Sequence, residues 1–237
     1  MSMKQLRIPW ASAAIFSLGS TFAMILRFWL LNTGVDDRGL LVTGHWGYIL
    51  SYVLCALLPV VLFCVLGKKQ PLHFTPTPLA AVGFFVQAIG FGIAAWTMLS
   101  DTTLALHTIA GVLGIASTLC AIVAGIYAIR GYRTHPLFFC PAALFFACFL
   151  FCRYQQWSAE PELQLYVFQL MAAVAAMFAL YQRSALGVNM GNSRLYLLWS
   201  RSAILLCPAA IPGSQLPLLW LCMAVSFSLD CCEEIAQ

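Results

Sequence analysis

A chain of 237 residues that is 62% hydrophobic and only 8% charged, with a mean hydropathy of +0.89, lacks the polar surface that a water-soluble domain presents. Its formal net charge of +4 comes from Lys and Arg scattered in ones and twos at the ends of apolar runs, not from a basic stripe, which excludes a nucleic-acid-binding surface. The composition describes an all-α, polytopic transmembrane helical bundle, a single integral membrane domain over residues 1–237 with the lipid bilayer as solvent.

The first apolar run follows Lys4 and Arg7 as a secretory signal would, but it is too long for one, carries Arg27 and has no clean cleavage site. We read it as an uncleaved first span. A bilayer core of about 30 Å needs roughly 20 helical residues at about 1.5 Å each, and backbone groups in hydrocarbon must bond within their own helix. The apolar runs that satisfy this predict spans at 9–31, 45–66, 77–99, 104–129, 136–156, 163–182, 194–211 and 215–231.

The last two spans are short, and Pro208, Pro212, Gly213 and Pro217 lie between or within them. One straight helix over 194–229 would measure about 54 Å, far beyond a bilayer, so a hairpin is expected. Eight spans result, and seven with a broken last helix is the alternative.

Lys4, Arg7, Lys68, Lys69, Arg130, Arg133, Arg183 and Arg194 fall in alternate loops on one side. By the positive-inside rule this places both termini in the cytoplasm, and short loops without a glycosylation sequon suit a bacterial cytoplasmic membrane. The stretch from Arg27 to His45 then faces outward. His73 and His135 fall in inner loops and are read as solvated. Trp10, Trp29, Trp46, Trp96, Tyr127, Trp157, Tyr181 and Tyr196 cluster near span ends, as interfacial anchors do. Small residues four apart mark expected helix-contact faces at Ala13-Ser17-Thr21, Ala110-Gly114-Thr118 and Ala121-Gly125.

An Arg followed nine residues later by an acid occurs twice, Arg27 with Asp36 and Arg153 with Glu162, each at an outward span end. Four spans separate the two, so a duplication would make two parallel halves, a 4+4 repeat.

Charges inside a membrane need a partner, a water path or a route to the interface. Arg27 and Arg153 stand about one turn below the outer surface, where two planar guanidiniums would bind a carboxylate or phosphate in bidentate fashion. Arg201 lies deeper if its helix begins near 194, and no Asp or Glu is expected centrally in any span to meet it. Gln87 and Gln169 are the other polar residues at depth. The ligand-binding set expected from the sequence is therefore Arg27, Arg153, Asp36, Glu162, Arg201, Gln87 and Gln169.

His45 and His107 both open outward-to-inward helices, and two axial His on neighbouring helices is how a bundle holds haem. No cofactor is expected, with haem b as the alternative. Most Cys lie in apolar runs without a C-x-x-C pair, so they read as small packing residues and no metal site is expected; Cys148 and Cys152 share a helical face, and Cys231-Cys232 adjoins the last span.

No G-x-S-x-G, H-E-x-x-H, P-loop or Gly-rich dinucleotide turn is present, which argues against an enzyme. The reading from sequence is a transporter or solute-binding membrane component with an outward-facing cationic vestibule for a small anionic solute. The alternatives are a non-catalytic membrane subunit or sensor that contacts a partner subunit, and a redox or lipid-modifying enzyme built on the outer-rim His and acidic residues.

Overall fold

A computed structural model describes residues 3–34, 76–101, 105–157 and 166–235, with isolated positions between 46 and 61. The described residues form helices and turns without a strand. In chain order the helices are α1 (Met3–Thr33), α2 (Pro78–Ser100), α3 (Ala105–Ile129), α4 (Cys140–Trp157), α5 (Val167–Gly187), α6 (Ser193–Ala210) and α7 (Pro217–Ile235). A 3-10 turn, Pro136–Phe139, leads into α4.

Local chemistry sets these boundaries. Thr77 caps α2, its hydroxyl accepting from the Ala80 N–H at 3.2 Å, and Pro78 takes the first helical position, where its missing donor costs nothing. The end of α3 is a Schellman motif: Gly131 adopts φ +74°, its N–H donates to the Ala128 carbonyl, and the Tyr132 N–H donates to the Tyr127 carbonyl. Asn189 ends α5 the same way with φ 60°, and Asn192 then caps α6 by accepting from the Arg194 N–H at 3.1 Å. Pro136 and Pro217 sit at the starts of the turn before α4 and of α7.

Six helices close a ring in chain order, α2 against α3, α3 against α4, and so on to α7, which returns to pack on α2. α1 lies outside this ring against α6 and α7. From α2 onward consecutive helices run antiparallel, giving the bundle two poles. One contains the α6–α7 connector and is called the connector pole; the other contains the starts of α2, α4 and α6.

Lipid tails are as apolar as Leu, so close van der Waals fit must hold helices together in a membrane. Small residues provide it between α2 and α3, where a Cβ built on Gly114 would lie 2.8 Å from the Ala95 Cβ, and between α2 and α7, where one on Gly90 would lie 2.7 Å from the Cys222 Cβ. The expected Ala110-Gly114 and Ala121-Gly125 positions are all buried. On α1 the expectation is corrected at Thr21, which is exposed; the inward face there is Ser20, Arg27 and Leu30, the spacing a helix requires.

Aromatic rings fill the centre of the ring of helices. Phe91 of α2 meets Phe145 and Phe146 of α4 at 5.2 and 5.7 Å, edge-on, and Trp220 of α7 stacks on Phe146 at 6.1 Å and meets Phe149 edge-on at 5.8 Å. All five are fully buried. Tyr196 joins the interior too, so it is a core residue and not the interfacial anchor expected, whereas Trp96 and Tyr181 are exposed as anchors would be.

The expectation of eight spans is corrected. Among the described residues four helices are long and apolar enough to cross a membrane: α2, α3, α4 with its leading turn, and α5. The two helices of the last hairpin fall short for different reasons. α6 has 18 residues, about 27 Å, and includes Arg194 and Arg201; the apolar part of α7, Pro217–Asp230, is about 21 Å long. They do form two helices and not one broken helix, because Ile211–Leu216 turns the chain. Most of the expected span at 45–66 lies outside the described residues.

Candidate functional site

At the connector pole the polar residues converge on the α6–α7 connector. Gly213 takes φ +75° there, a left-handed conformation that glycine adopts without a Cβ clash, and its carbonyl turns toward α5, where Gln169 Nε2 donates to it at 3.3 Å. Two residues on, Gln215 Oε1 accepts from Arg153 Nη1 of α4 at 2.5 Å. Between them Ser214 Oγ accepts from the Leu216 N–H at 3.0 Å and from Trp220 Nε1 at 2.9 Å, tying the connector to the aromatic core.

Arg27 reaches the same assembly from α1. Its guanidinium lies 5.0 Å from the ring centroid of Phe168, the residue before Gln169, while Arg153 lies over Phe149 at 5.2 Å. Both arginines are buried, at 2% and 4% exposure. Asp101, the residue that ends α2, stands at this pole. His107 Nδ1 lies 3.1 Å from the Asp101 carbonyl oxygen and 3.4 Å from its carboxylate. His107 is buried and Asp101 half-exposed.

Not every residue expected at this site is found there. Arg201 is buried near the middle of α6, a helix enclosed by α1, α5 and α7, and so lies below the connector. Gln87 is buried about halfway along α2, between Phe84 and Phe91 on its inward face, and Gln169 stands at the start of α5, so no single site contains both. Asp36, His45 and Glu162 lie outside the described residues, as do His73 and the acidic halves of the two repeat motifs. Cys152 is buried and Cys148 partly so. Among the described residues no group of three His, Cys, Asp or Glu is placed to hold a metal ion. His135 is exposed and caps the turn before α4 through its ring nitrogen, 3.3 Å from the Leu137 N–H.

At the opposite pole stands an ion pair that the sequence reading lacks. Arg183, read as a loop charge, lies inside α5 and is bonded through Nη1 to Asp230 Oδ2 of α7. They are 6% and 5% exposed. The guanidinium is held between the rings of Phe84 and Phe139, with centroids at 4.9 and 4.8 Å. A buried carboxylate is therefore present in the bundle after all. A signal for it existed: Arg183 and Asp230 each fall at the edge of an apolar run, with opposite charge and on the same side. Gln215, a neutral residue in a connector, carried no such signal.

Among the described residues, the four helices long and apolar enough to cross a membrane are consistent with a helical integral membrane protein. The chain matches no protein-family model, no curated protein and no solved structure.

Proposed function

We propose that the chain is a transporter or solute-binding component of the membrane, which takes a small anion, a carboxylate or a phosphate, at its connector pole between Arg27 and Arg153. The observation that carries this reading is the burial of two guanidiniums at one pole, both reaching the assembly formed by the start of α5 and the α6–α7 connector. Each guanidinium offers five donors in a rigid plane, a geometry that suits the paired oxygens of a carboxylate or phosphate. Gln215 holds Arg153 through a neutral amide oxygen, which an arriving anion displaces at little electrostatic cost. The Gln169 and Gln215 amides then supply further donors at the rim of the site.

The Lys and Arg bias supports a cytoplasmic amino terminus and an outward-facing connector pole, since Lys4 and Arg7 open α1, and Arg130, Arg133 and Arg194 stand at the other pole once Arg183 is counted as buried. A thermal-shift panel of carboxylates and phosphates tests the reading, run on the wild-type chain, Arg27→Ala and Arg153→Ala. A ligand at about 100 times its Kd stabilises by about 2.7 kcal/mol, and both variants should lose that gain. Equal stabilisation of all three proteins ends it.

The aromatic packing of Phe91, Phe145, Phe146, Phe149 and Trp220 favours a second reading, a sensor or subunit that binds its solute without passing it on. Uptake of the stabilising anion into proteoliposomes separates the two: flux above that of empty liposomes supports the carrier, and binding without flux supports the sensor.

A further inference from the structure

The exposed side of α3 carries a row at helical spacing, Ile115, Leu119, Ile122 and Ile126, and Arg130 continues that row one turn past Ile126. At 25 residues the helix is about 37 Å long, more than the roughly 30 Å of a hydrocarbon core, so the residues that follow it stand at the level of the lipid headgroups. One line on the surface thus leads from acyl chains to phosphates.

Past Arg130 the left-handed Gly131 turns the chain, and Arg133 follows, exposed like Arg130. Rings hold the two sides of this turn together: Tyr132 meets Tyr127 edge-on at 6.1 Å, Tyr127 meets Phe138 at 5.8 Å, and Phe138 meets His135 at 6.0 Å. His135 Nδ1 accepts from the Leu137 N–H, so the neutral imidazole carries its proton on Nε2 as a further donor. The α5–α6 turn abuts this one, because a Cβ built on Gly187 would lie 2.6 Å from Pro136 Cγ, and it adds the exposed apolar tips of Val188 and Met190. Neither turn contains an Asp or Glu over 127–139 or 187–193. Glu233 and Glu234 belong to α7, which packs on α1, α2 and α6, and Asp230 is bonded to Arg183.

We propose that the α3–α4 turn docks a phospholipid of net negative charge, its phosphate taken by Arg130 and Arg133 and an acyl chain laid along Ile115, Leu119, Ile122 and Ile126. Charge complementarity selects the headgroup: a zwitterionic lipid brings its own ammonium against the guanidiniums, and an anionic one does not. The isoleucine row selects a lipid over a soluble anion, which has nothing to lay along it. Tyr132 and Leu137 stand exposed at the same level, where amphipathic and apolar side chains enter the headgroup boundary. The docking surface is at the pole away from Arg27 and Arg153, and it stands or falls independently of anion binding there.

Photolabelling of the full chain in phosphatidylcholine nanodiscs tests it, with a trace of phosphatidylglycerol that carries a photoreactive headgroup and peptide mapping by mass spectrometry. The label should fall on 127–138, about tenfold above that from a phosphatidylcholine probe with the same reactive group. Each arginine near an anionic headgroup is worth roughly fivefold in occupancy, so the Arg130→Gln, Arg133→Gln double variant should lose labelling by at least about tenfold. Equal labelling by the two probes overturns the proposal, as does label confined to other segments or unchanged labelling of the double variant. Loss of the label on adding millimolar glycerol phosphate places a soluble anion at the turn and also overturns it. Should the double variant fail to fold, the wild-type map and the competition decide between the outcomes.

Discussion

Arg153 and Gln215 are 62 residues apart in sequence, yet Arg153 Nη1 donates to Gln215 Oε1 across the bundle. The bond joins the end of α4 to the turn between α6 and α7, and through Gln169 and Gly213 the same turn is joined to α5. One short connector thus gathers helices from both sides of the ring, and substitutions in it report on stability and on the anion site together.

Gln215→Ala removes the oxygen that Arg153 donates to and should destabilise by about 1–2 kcal/mol, between the value for a bond to a charged group in water and the smaller average in membranes. Gln215→Glu should stabilise the protein, because it places a carboxylate beside the guanidinium. If the connector pole takes anions, the same Glu variant also abolishes the thermal shift given by carboxylates. Denaturant titration and thermal shift on the two variants check both outcomes.

The buried ion pair predicts a non-additive cycle. Arg183→Ala leaves the Asp230 charge buried and should cost about 3–5 kcal/mol. Asp230→Ala should cost a similar amount, and the double variant less than the sum, since no uncompensated charge remains. Additive losses in unfolding experiments would mean that the two residues do not act as a pair.

Two glycines should respond in opposite ways. Gly114→Leu pushes against Ala95 and should cost about 1–3 kcal/mol by forcing α2 from α3. At Gly131 nothing lies within 4 Å of a built Cβ, and only its positive φ resists substitution. Gly131→Asn should be almost neutral, because Asn tolerates the left-handed region, and Gly131→Val should lose about 1–2 kcal/mol. Relative melting temperatures of the three variants give the comparison.

Trp220 combines ring packing with a bond to Ser214. Trp220→Phe retains most of the packing and should cost about 1 kcal/mol for the lost donor, whereas Trp220→Ala opens a cavity among Phe146 and Phe149 and should cost about 3–5 kcal/mol. Ser214→Ala loses the bonds from both Leu216 and Trp220 and should cost more than Trp220→Phe but less than Trp220→Ala.

Where the helices begin and end was legible wherever a residue with its own backbone preference stands at the boundary. The runs expected at 77–99 and 104–129 correspond to Pro78–Ser100 and Ala105–Ile129, because Thr77, Pro78 and Gly131 act locally. The span count was less legible. Apolarity reports lipid exposure, and α6 has no exposed residue and is buried throughout 200–207, so its sequence is more polar than that of a lipid-facing span. Site residues followed the same division. Burial of Arg27 and Arg153 near helix ends could be expected from their place in apolar runs, but the Arg183–Asp230 pairing depends on which helices meet across the ring, and periodicity along one helix does not encode that.

The enclosure of α6 bears on how the chain is made. A segment of 18 residues with two arginines has little reason to leave the insertion machinery for lipid by itself, and the buried run from Ser200 to Cys207 has no favourable surroundings until α1, α5 and α7 are at hand. Its packing is accordingly a late and collective event, in which the final hairpin docks as a unit and the earlier helices act as its receiving scaffold.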